Sequence, residues 1–181
     1  MPLHYLAWRN ALRNWNCEFP ETLFYEWGGY PTAEIVRRLN QERGLQMPVE
    51  EVLRTKEHLY YESLPTLKAV PAVLEHIHAG HGRIPMAVVS GSTRESVEAS
   101  LATLGLLDKF DALVCAGDYK KGKPDPEPFL LAAERLGVAP ESCLVFEDAD
   151  LGIEAARAAG MASVKVPSAR ERQEQSREPS K

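Results

Sequence analysis

The sequence predicts an α/β fold, a doubly wound parallel sheet in three α/β/α layers, with a helical module in front of it. Four short apolar runs, at 85–90, 112–116, 143–146 and 162–166, alternate with helical segments in the second part of the chain. Strands that are apolar on both faces and alternate with helices are typical of parallel sheets joined by right-handed crossovers. The first sixty-odd residues, in contrast, show helical periodicity and no strand-like run.

The helical module is predicted over residues 1–65. Its apolar residues recur at helical spacing in four segments, which are 3–15, 20–27, 31–42 and 49–63. The α/β core is predicted over 66–167, opening with a helix at 66–78 and continuing with helices at 94–104, 126–136 and 150–159. Residues 168–181 are charged and almost devoid of apolar residues, which predicts a disordered tail.

Composition narrows the class of protein. The chain of 181 residues has a net charge of −5 and no recurring Lys/Arg stripe, which argues against a nucleic-acid partner. Its three cysteines lack metal-ligand spacing and fit a reducing cytoplasm. No apolar run approaches the ~18 residues that span a bilayer, so no membrane partner is expected. No pattern indicates an oligomer, and a monomer is favoured.

The first predicted strand ends in Ser90-Gly91-Ser92. In open parallel sheets ligands bind outside the carboxyl ends of the strands. Hydroxyl and backbone N–H groups at the following helix start form a cradle for an anion such as phosphate, beside which Arg94 could hold a second phosphate. The alternatives are an ordinary N-cap at Ser92 or Thr93 and a solvated Arg94.

Lys123 follows the next strand, in GKPDPEPF near a helix start. The helix dipole disfavours a cation there, so a solvated lysine is one interpretation. Beside a phosphate and a carboxylate, however, the ammonium would be stabilised, and the neighbouring prolines would present it rigidly.

The third strand ends in Glu147-Asp148, with Asp150 two residues on. Hard carboxylate oxygens with few other protein ligands suit Mg²⁺, which keeps waters and shares a substrate phosphate. Only one acid can occupy a helix cap, so the pair favours a metal, with Asp148 as the direct ligand and Asp150 as the cap. Together, the three strand ends predict a phosphoryl-transfer site.

These segments resemble three of the four motifs of the haloacid dehalogenase superfamily: Ser90 the second, Lys123 the third, and Glu147-Asp148 in VFEDADLGIEAARAAG the fourth. The likeness spans about residues 65–166. The preceding helices resemble the cap of the sugar-phosphate phosphatases and beta-phosphoglucomutases. In GGYPT, which resembles the specificity loop of that subgroup, Gly29 and Thr32 are candidate substrate-binding residues. The resemblance implies an Mg²⁺-dependent phosphatase acting on a small phosphorylated sugar through an aspartyl-phosphate intermediate.

The sequence departs from that family at its first motif, DxDGT, which would end a central strand before the cap. No such motif precedes the first helix, and no other acid replaces its nucleophile. We therefore expect the chain as printed to lack a central strand and to be inactive. A start that lies further upstream and a genuine short form remain alternatives.

Three other functions remain open. His4 matches a cap position at which mutases of the subgroup carry a histidine that controls nucleophile activation, which makes a beta-phosphoglucomutase the second candidate; a partly exposed helix histidine is the alternative. The uncharged GGYPT loop favours a phosphatase. A non-catalytic binding or scaffold protein is the third candidate. A flavodoxin-like receiver is disfavoured, because receivers carry their acids early in the chain.

Overall fold

The computed structural model describes residues 2–168 and 171–172. Within them, the α-helices are α1 Pro2–Ala11, α2 Glu21–Glu26, α3 Thr32–Arg43, α4 Val49–Ser63, α5 Pro71–Gly80, α6 Arg94–Thr103, α7 Glu127–Leu136 and α8 Asp150–Ala158. The strands are β1 Ala87–Val89, β2 Ala112–Val114, β3 Leu144–Glu147 and β4 Ala162–Lys165. Short 3₁₀ turns occupy Leu12–Trp15, Leu64–Thr66, Leu107–Lys109 and Pro140–Ser142. The α/β class is confirmed.

Helices α1 to α4 enclose an aromatic-rich core. Trp8, Phe19, Phe24 and Trp27 pack in it with aliphatic residues of α3 and α4. Phe19 contacts the rings of Trp8 and Phe24 edge-on, at centroid distances of 5.8 and 5.9 Å. Such edge-to-face contacts add to the stability that burial supplies. Residues 2–63 thus carry a hydrophobic core of their own.

The predicted helix at 66–78 begins later than expected. The structure has a 3₁₀ turn at Leu64–Thr66, an extended stretch, and then α5 from Pro71. Val70 has ψ 116°, because the ring of a proline drives the residue before it out of the helical region. Residues 67–70 therefore form an extended link between the helical module and the α/β part.

The strands form two separate parallel pairs. β1 pairs with β2, with Ala87 opposite Ala112, and β3 pairs with β4, with Leu144 opposite Ala162. Across the described residues, no ladder joins β1 to β3. The parallel arrangement is confirmed, but the sheet is divided between its first and second pairs.

Helices cover both faces of the strands. On one side α7 and α8 pack on Val89 and Val145 through Phe129 and a set of alanines. On the other side α5 and α6 pack on Val88 and Leu113. None of the helices in the described part of the chain is long and apolar enough to cross a membrane.

The predicted tail over 168–181 falls mostly outside the described residues. Of the part that is described, Ser168 and Glu171 bond reciprocally: the Ser168 N–H donates to Glu171 Oε2 at 2.6 Å, and the Glu171 N–H donates to Ser168 Oγ at 3.2 Å. This is the pattern of a helix capping box.

Candidate active site

A cavity of about 200 Å³ lies between the helical module and the carboxyl ends of β1 and β3. Its floor is made by residues that follow the strands, and its roof by α1, the loop before α3, and α4. The lining residues are His4, Trp8, Phe24, Trp27, Gly28, Gly29, Tyr30, Thr32, Ile35, Lys56, Val89, Ser90, Gly91, Ser92, Lys123, Glu147, Asp148 and Ala149. The structure therefore brings together every predicted site residue except Arg94.

Ser90 organises the turn after β1. Its Oγ accepts a hydrogen bond from the Ser92 N–H at 3.1 Å, and its carbonyl accepts one from the Tyr119 hydroxyl at 3.2 Å. Burial, with the nearby Cys115 and Asp118, raises the pKa of Tyr119 to about 12, so that hydroxyl stays a donor at neutral pH. Thr93 caps α6, accepting from the Ser96 N–H at 3.4 Å. The N-cap interpretation thus applies to Thr93, which leaves Ser90 and the Gly91 backbone at the cavity.

Lys123 lies four residues before α7 and is 6% exposed. Its Nζ donates to the carbonyl oxygen of Val89 at 3.3 Å and forms an ion pair with Glu147. The ammonium also lies 4.8 Å from the centre of the Phe129 ring, where a cation is attracted by the face of the aromatic ring. A buried lysine held from three sides is a fixed positive charge at the cavity floor.

Glu147 and Asp148 end β3 side by side. The Glu147 carboxylate folds back over the first turn of α8, where a Cβ on Gly152 would stand 2.2 Å from its carboxyl carbon. Asp148 is half-buried, and its carboxylate has no protein partner in the described part of the chain. The strand end therefore offers one acid paired to Lys123 and one that is free to bind a cation.

The donor set fits Mg²⁺ as a partial protein site. Mg²⁺ takes one or two carboxylates and completes its shell with water and substrate phosphate. A cluster of three or more His, Cys, Asp or Glu is not found among the residues described. The unpartnered Asp148 carboxylate, with one oxygen of Glu147, is the pair that would hold the ion.

Asp150 does not cap α8 as expected. It is the first residue of the helix, the N-cap position falls on Ala149, and no side chain bonds there. Instead, Asp150 forms an ion pair with Lys165 at the end of β4. A carboxylate in the first turn still interacts favourably with the helix dipole, which explains its place without a cap.

Arg94 points away from the cavity. Its guanidinium donates to Asp118 Oδ2 at 2.8 Å and to the carbonyl oxygen of Leu113 at 3.2 Å. Arg135 binds the same two acceptors from the other side, at 2.9 and 2.6 Å. Desolvation raises the pKa of Asp118, but the bonds from Arg135 and from the Cys115 N–H outweigh it and hold that pKa below its usual value. Arg94 thus joins Arg135 in binding Asp118 and the backbone of β2, outside the cavity.

His4 lies at the roof of the cavity, on α1. Its ring stacks on Tyr60 at a centroid distance of 3.9 Å with an interplanar angle of 9°. Burial first, and the charge of Lys56 second, hold the pKa of His4 well below its usual range. The imidazole is therefore neutral at pH 7.

Lys56, on α4, is a charged roof residue that sequence reasoning missed. It is 1% exposed and pairs with Glu57 at 2.7 Å. Desolvation lowers the pKa of Lys56, while the charge of Glu57 and its hydrogen bond oppose the shift. The available signal was its spacing: Val52, Lys56 and Tyr60 follow one another four residues apart on the buried stripe of the helix.

The loop before α3 touches the α/β part through glycines. Gly29, at φ +109°, has its Cβ position 3.4 Å from Lys123 Cβ and from Leu151 Cβ. A Cβ on Gly91 would lie 3.1 Å from the Tyr30 carbonyl oxygen, and one on Gly122 would lie 2.8 Å from the Pro31 ring. At each of these three close approaches, which we call the glycine seam, one of the two surfaces contributes a residue without a side chain.

Comparisons with known proteins show which family the chain belongs to. The family model described as "Haloacid dehalogenase-like hydrolase" matches residues 2–166. The fructose-1-phosphate phosphatase YqaB of Escherichia coli (strain K12) is 40% identical over 166 residues, which are 91% of this chain and 88% of that protein. The phosphorylated carbohydrates phosphatase of Thermotoga maritima is 32% identical over 164 residues, covering 88% and 75% of the two chains.

A solved structure is similar over nearly the whole chain. The crystal structure of beta-phosphoglucomutase from Clostridium difficile superposes with a TM-score of 0.76 at 27% identity, covering 94% of this chain and 80% of that one. The resemblance to the family is therefore matched by sequence and by fold over most of the chain. The chain belongs to the haloacid dehalogenase-like hydrolase family.

Proposed function

We propose that the cavity binds the phosphate group of a small phosphorylated sugar, and that the chain belongs to the phosphatase side of its family. The observation that carries the proposal is the buried Lys123–Glu147 pair facing the Ser90 turn across the cavity floor. The names of the two curated relatives, a fructose-1-phosphate phosphatase and a phosphorylated carbohydrates phosphatase, support a sugar phosphate as the substrate class.

Each floor residue has a part in binding. The Ser90 hydroxyl and the Gly91 N–H donate to phosphate oxygens, since that N–H lacks an acceptor within the described residues. Lys123 uses two of its three N–H donors on Val89 and Glu147 and offers the third to the phosphate. Asp148 and Glu147 would hold Mg²⁺, which when bound neutralises phosphate charge. The aromatic roof excludes water from the bound ester.

Hydrolysis by this family requires a nucleophilic carboxylate at the phosphate. Glu147 and Asp148 are the carboxylates that line the cavity within the described residues, and Glu147 is held by Lys123. We therefore expect residues 1–181 to bind sugar phosphates without turning them over. A mutase, favoured by the neutral His4 at the roof of the cavity, and a non-catalytic binding protein are the two alternatives.

Calorimetry with fructose 1-phosphate in Mg²⁺ tests binding. We expect saturable binding that Lys123→Met weakens by about tenfold or more, since charge-assisted hydrogen bonds are lost, and that Lys121→Met, an exposed neighbour, leaves within twofold. Equal affinities of the two variants would contradict the proposal.

Turnover is measured separately, with p-nitrophenyl phosphate and fructose 1-phosphate. We expect no release of phosphate above that of a Glu147→Ala/Asp148→Ala control. Measurable hydrolysis by the 181-residue chain would overturn the expected inactivity while leaving the binding proposal intact. Conversion of β-glucose 1-phosphate with its bisphosphate activator would favour the mutase.

A further inference from the structure

We propose that Glu57 neutralises Lys56, a cation of the cavity roof, and so restricts the cavity to ligands with one phosphate and an otherwise uncharged body. The inference rests on the proposed function and deepens it, because it concerns which phosphorylated sugars the cavity accepts. It is argued from the charges of the roof and not from the residues that would carry out hydrolysis.

Lys56 and Glu57 form an ion pair inside the roof. Residues next to each other on a helix do not face one another, so a bond between them requires both long side chains to turn aside. Here the Lys56 Nζ lies 2.7 Å from Glu57 Oε1, and the two side chains are 2% and 17% exposed. Lys56 lines the cavity, whereas Glu57 is not among the lining residues. The carboxylate therefore meets the ammonium from behind, on the side away from a ligand.

The contacts of Glu57 indicate that its charge is what matters. One oxygen, Oε1, accepts from Lys56, and the other, Oε2, is buried without a hydrogen-bond partner in the described part of the chain. Burying an ion is costly unless an opposite charge lies against it. Desolvation lowers the pKa of Lys56, and Glu57 opposes that shift, so the acid favours the protonated lysine. The roof thus holds an ammonium whose charge is already compensated.

The other polar side chains of the described roof add no net charge. His4 is neutral at pH 7, and Tyr30 and Thr32 are uncharged residues of the lining. Arg38 lies behind Tyr30, 4.1 Å from the centre of its ring, and pairs with Glu34 at 3.1 Å. Each side-chain cation that the described residues place at the roof therefore has an acidic partner.

The floor and the roof consequently favour different chemical groups. At the floor, Lys123 offers a donor to one phosphate, beside the Ser90 turn. A second phosphate at the far end of the same ligand would lie against the roof, where it would leave water without gaining an unpaired cation. Sugar hydroxyls, in contrast, can bond to neutral groups such as those of His4 and Thr32. The distribution of charge therefore favours a monophosphate over a bisphosphate.

Calorimetry on the 181-residue chain, with fructose 1-phosphate and fructose 1,6-bisphosphate in one Mg²⁺ buffer, tests this preference. The ratio of the two affinities is compared between variants, so that the difference in size between the two sugars cancels. We expect the parent chain to bind the monophosphate about tenfold more tightly or better. Glu57→Gln should reduce that ratio by about tenfold, because the second phosphate then supplies the charge partner that Lys56 has lost.

Two further variants separate charge from shape. Lys56→Met/Glu57→Gln removes both charges and should restore the ratio of the parent to within about threefold, since it leaves no buried charge without a partner. This variant keeps the test decisive if Glu57→Gln does not fold. Glu62→Gln is the matched control, because Glu62 lies on the same helix with an exposed side chain, and it should leave the ratio unchanged.

Three results would overturn the inference. The first is a ratio that Glu57→Gln leaves unchanged, and the second is a double variant that departs from the parent as far as Glu57→Gln does. The third is equal affinity of the parent for the two sugars, which would leave the proposed function intact. If the parent bound neither sugar, the proposed function and this inference would both fail.

Discussion

The Glu147 carboxylate occupies the space that a side chain at position 152 would need: its carboxyl carbon lies 2.2 Å from the position that a Cβ on Gly152 would take. The first turn of α8 can therefore hold the acid only because residue 152 has no side chain. The placement of Glu147 next to Lys123 depends on this vacancy.

Gly152→Ala should displace Glu147 and destabilise the fold by about 1–3 kcal/mol, the usual cost of overpacking. In an open helix the same change would stabilise by up to about 1 kcal/mol. The urea unfolding free energies of a double-mutant cycle with Glu147→Ala separate the two effects. In the Glu147→Ala background the alanine should be neutral or stabilising; destabilisation of equal size in both backgrounds would refute the steric explanation.

Lys123→Met should cost about 3–5 kcal/mol of unfolding free energy, because it leaves the carboxylate of Glu147 buried without its partner. Lys121→Met is the matched control, since its ammonium is exposed and lies 3.8 Å from Asp125. That control should change stability by less than about 0.5 kcal/mol. If the double variant Lys123→Met/Glu147→Gln were no more stable than Lys123→Met alone, the loss would come from packing rather than from the unpaired charge.

His4 should make the fold sensitive to acid below about pH 6.5, the ordinary pKa of a histidine. Its pKa is lowered on folding, so between that lowered pKa and the ordinary one the unfolded chain binds more protons, and stability falls as pH falls. We expect the loss between about pH 7 and pH 5 to shrink by about 1 kcal/mol in His4→Phe, which keeps a ring against Tyr60. Urea midpoints at both pH values measure it. The control His58→Gln, at an exposed position, should lose as much stability between the two pH values as the parent chain. If His4→Phe also lost as much, His4 would be excluded as the source of the pH dependence.

Arg94→Ala should leave the affinity for fructose 1-phosphate within about twofold, because the guanidinium bonds to Asp118 and Leu113 outside the cavity. It should lower stability by about 1 kcal/mol, the scale of a partly exposed charged hydrogen bond. Calorimetry and urea unfolding on the same preparation separate the two effects. A tenfold loss of affinity with unchanged stability would show instead that Arg94 contacts the bound sugar phosphate.

The floor of the site could be predicted from the sequence because the end of a strand fixes the position of the residues next to it in the chain. Four predicted residues lie at or just after a strand or its loop, and all four line the cavity: Ser90, Lys123, Glu147 and Asp148. Arg94 could not be placed in the same way. Its long side chain turns toward whatever acceptors the fold provides, and these are Asp118 and a carbonyl of β2, which only the tertiary structure brings together.

The roof was harder to predict, since it depends on how helices pack. Lys56 follows an acidic helix start and precedes Glu57, so its surroundings in sequence are those of a solvent-exposed lysine. Packing of α1 on α4 buries it instead. The sequence led us to expect a missing central strand, but not which strands would pair, because the pairing of strands is decided by which neighbours are present.

The glycine seam has a consequence for how small molecules enter and leave the cavity. Within residues 2–168 the chain passes between the helical module and the α/β part once, through the extended stretch at 67–70. At each contact of the seam one partner has no side chain, so the two surfaces can separate there with little interdigitation to undo. We therefore expect a ligand to enter and leave when the helical module rotates away from the α/β part about residues 67–70. A side chain larger than hydrogen at Gly29, Gly91 or Gly122 should keep the two parts from closing fully.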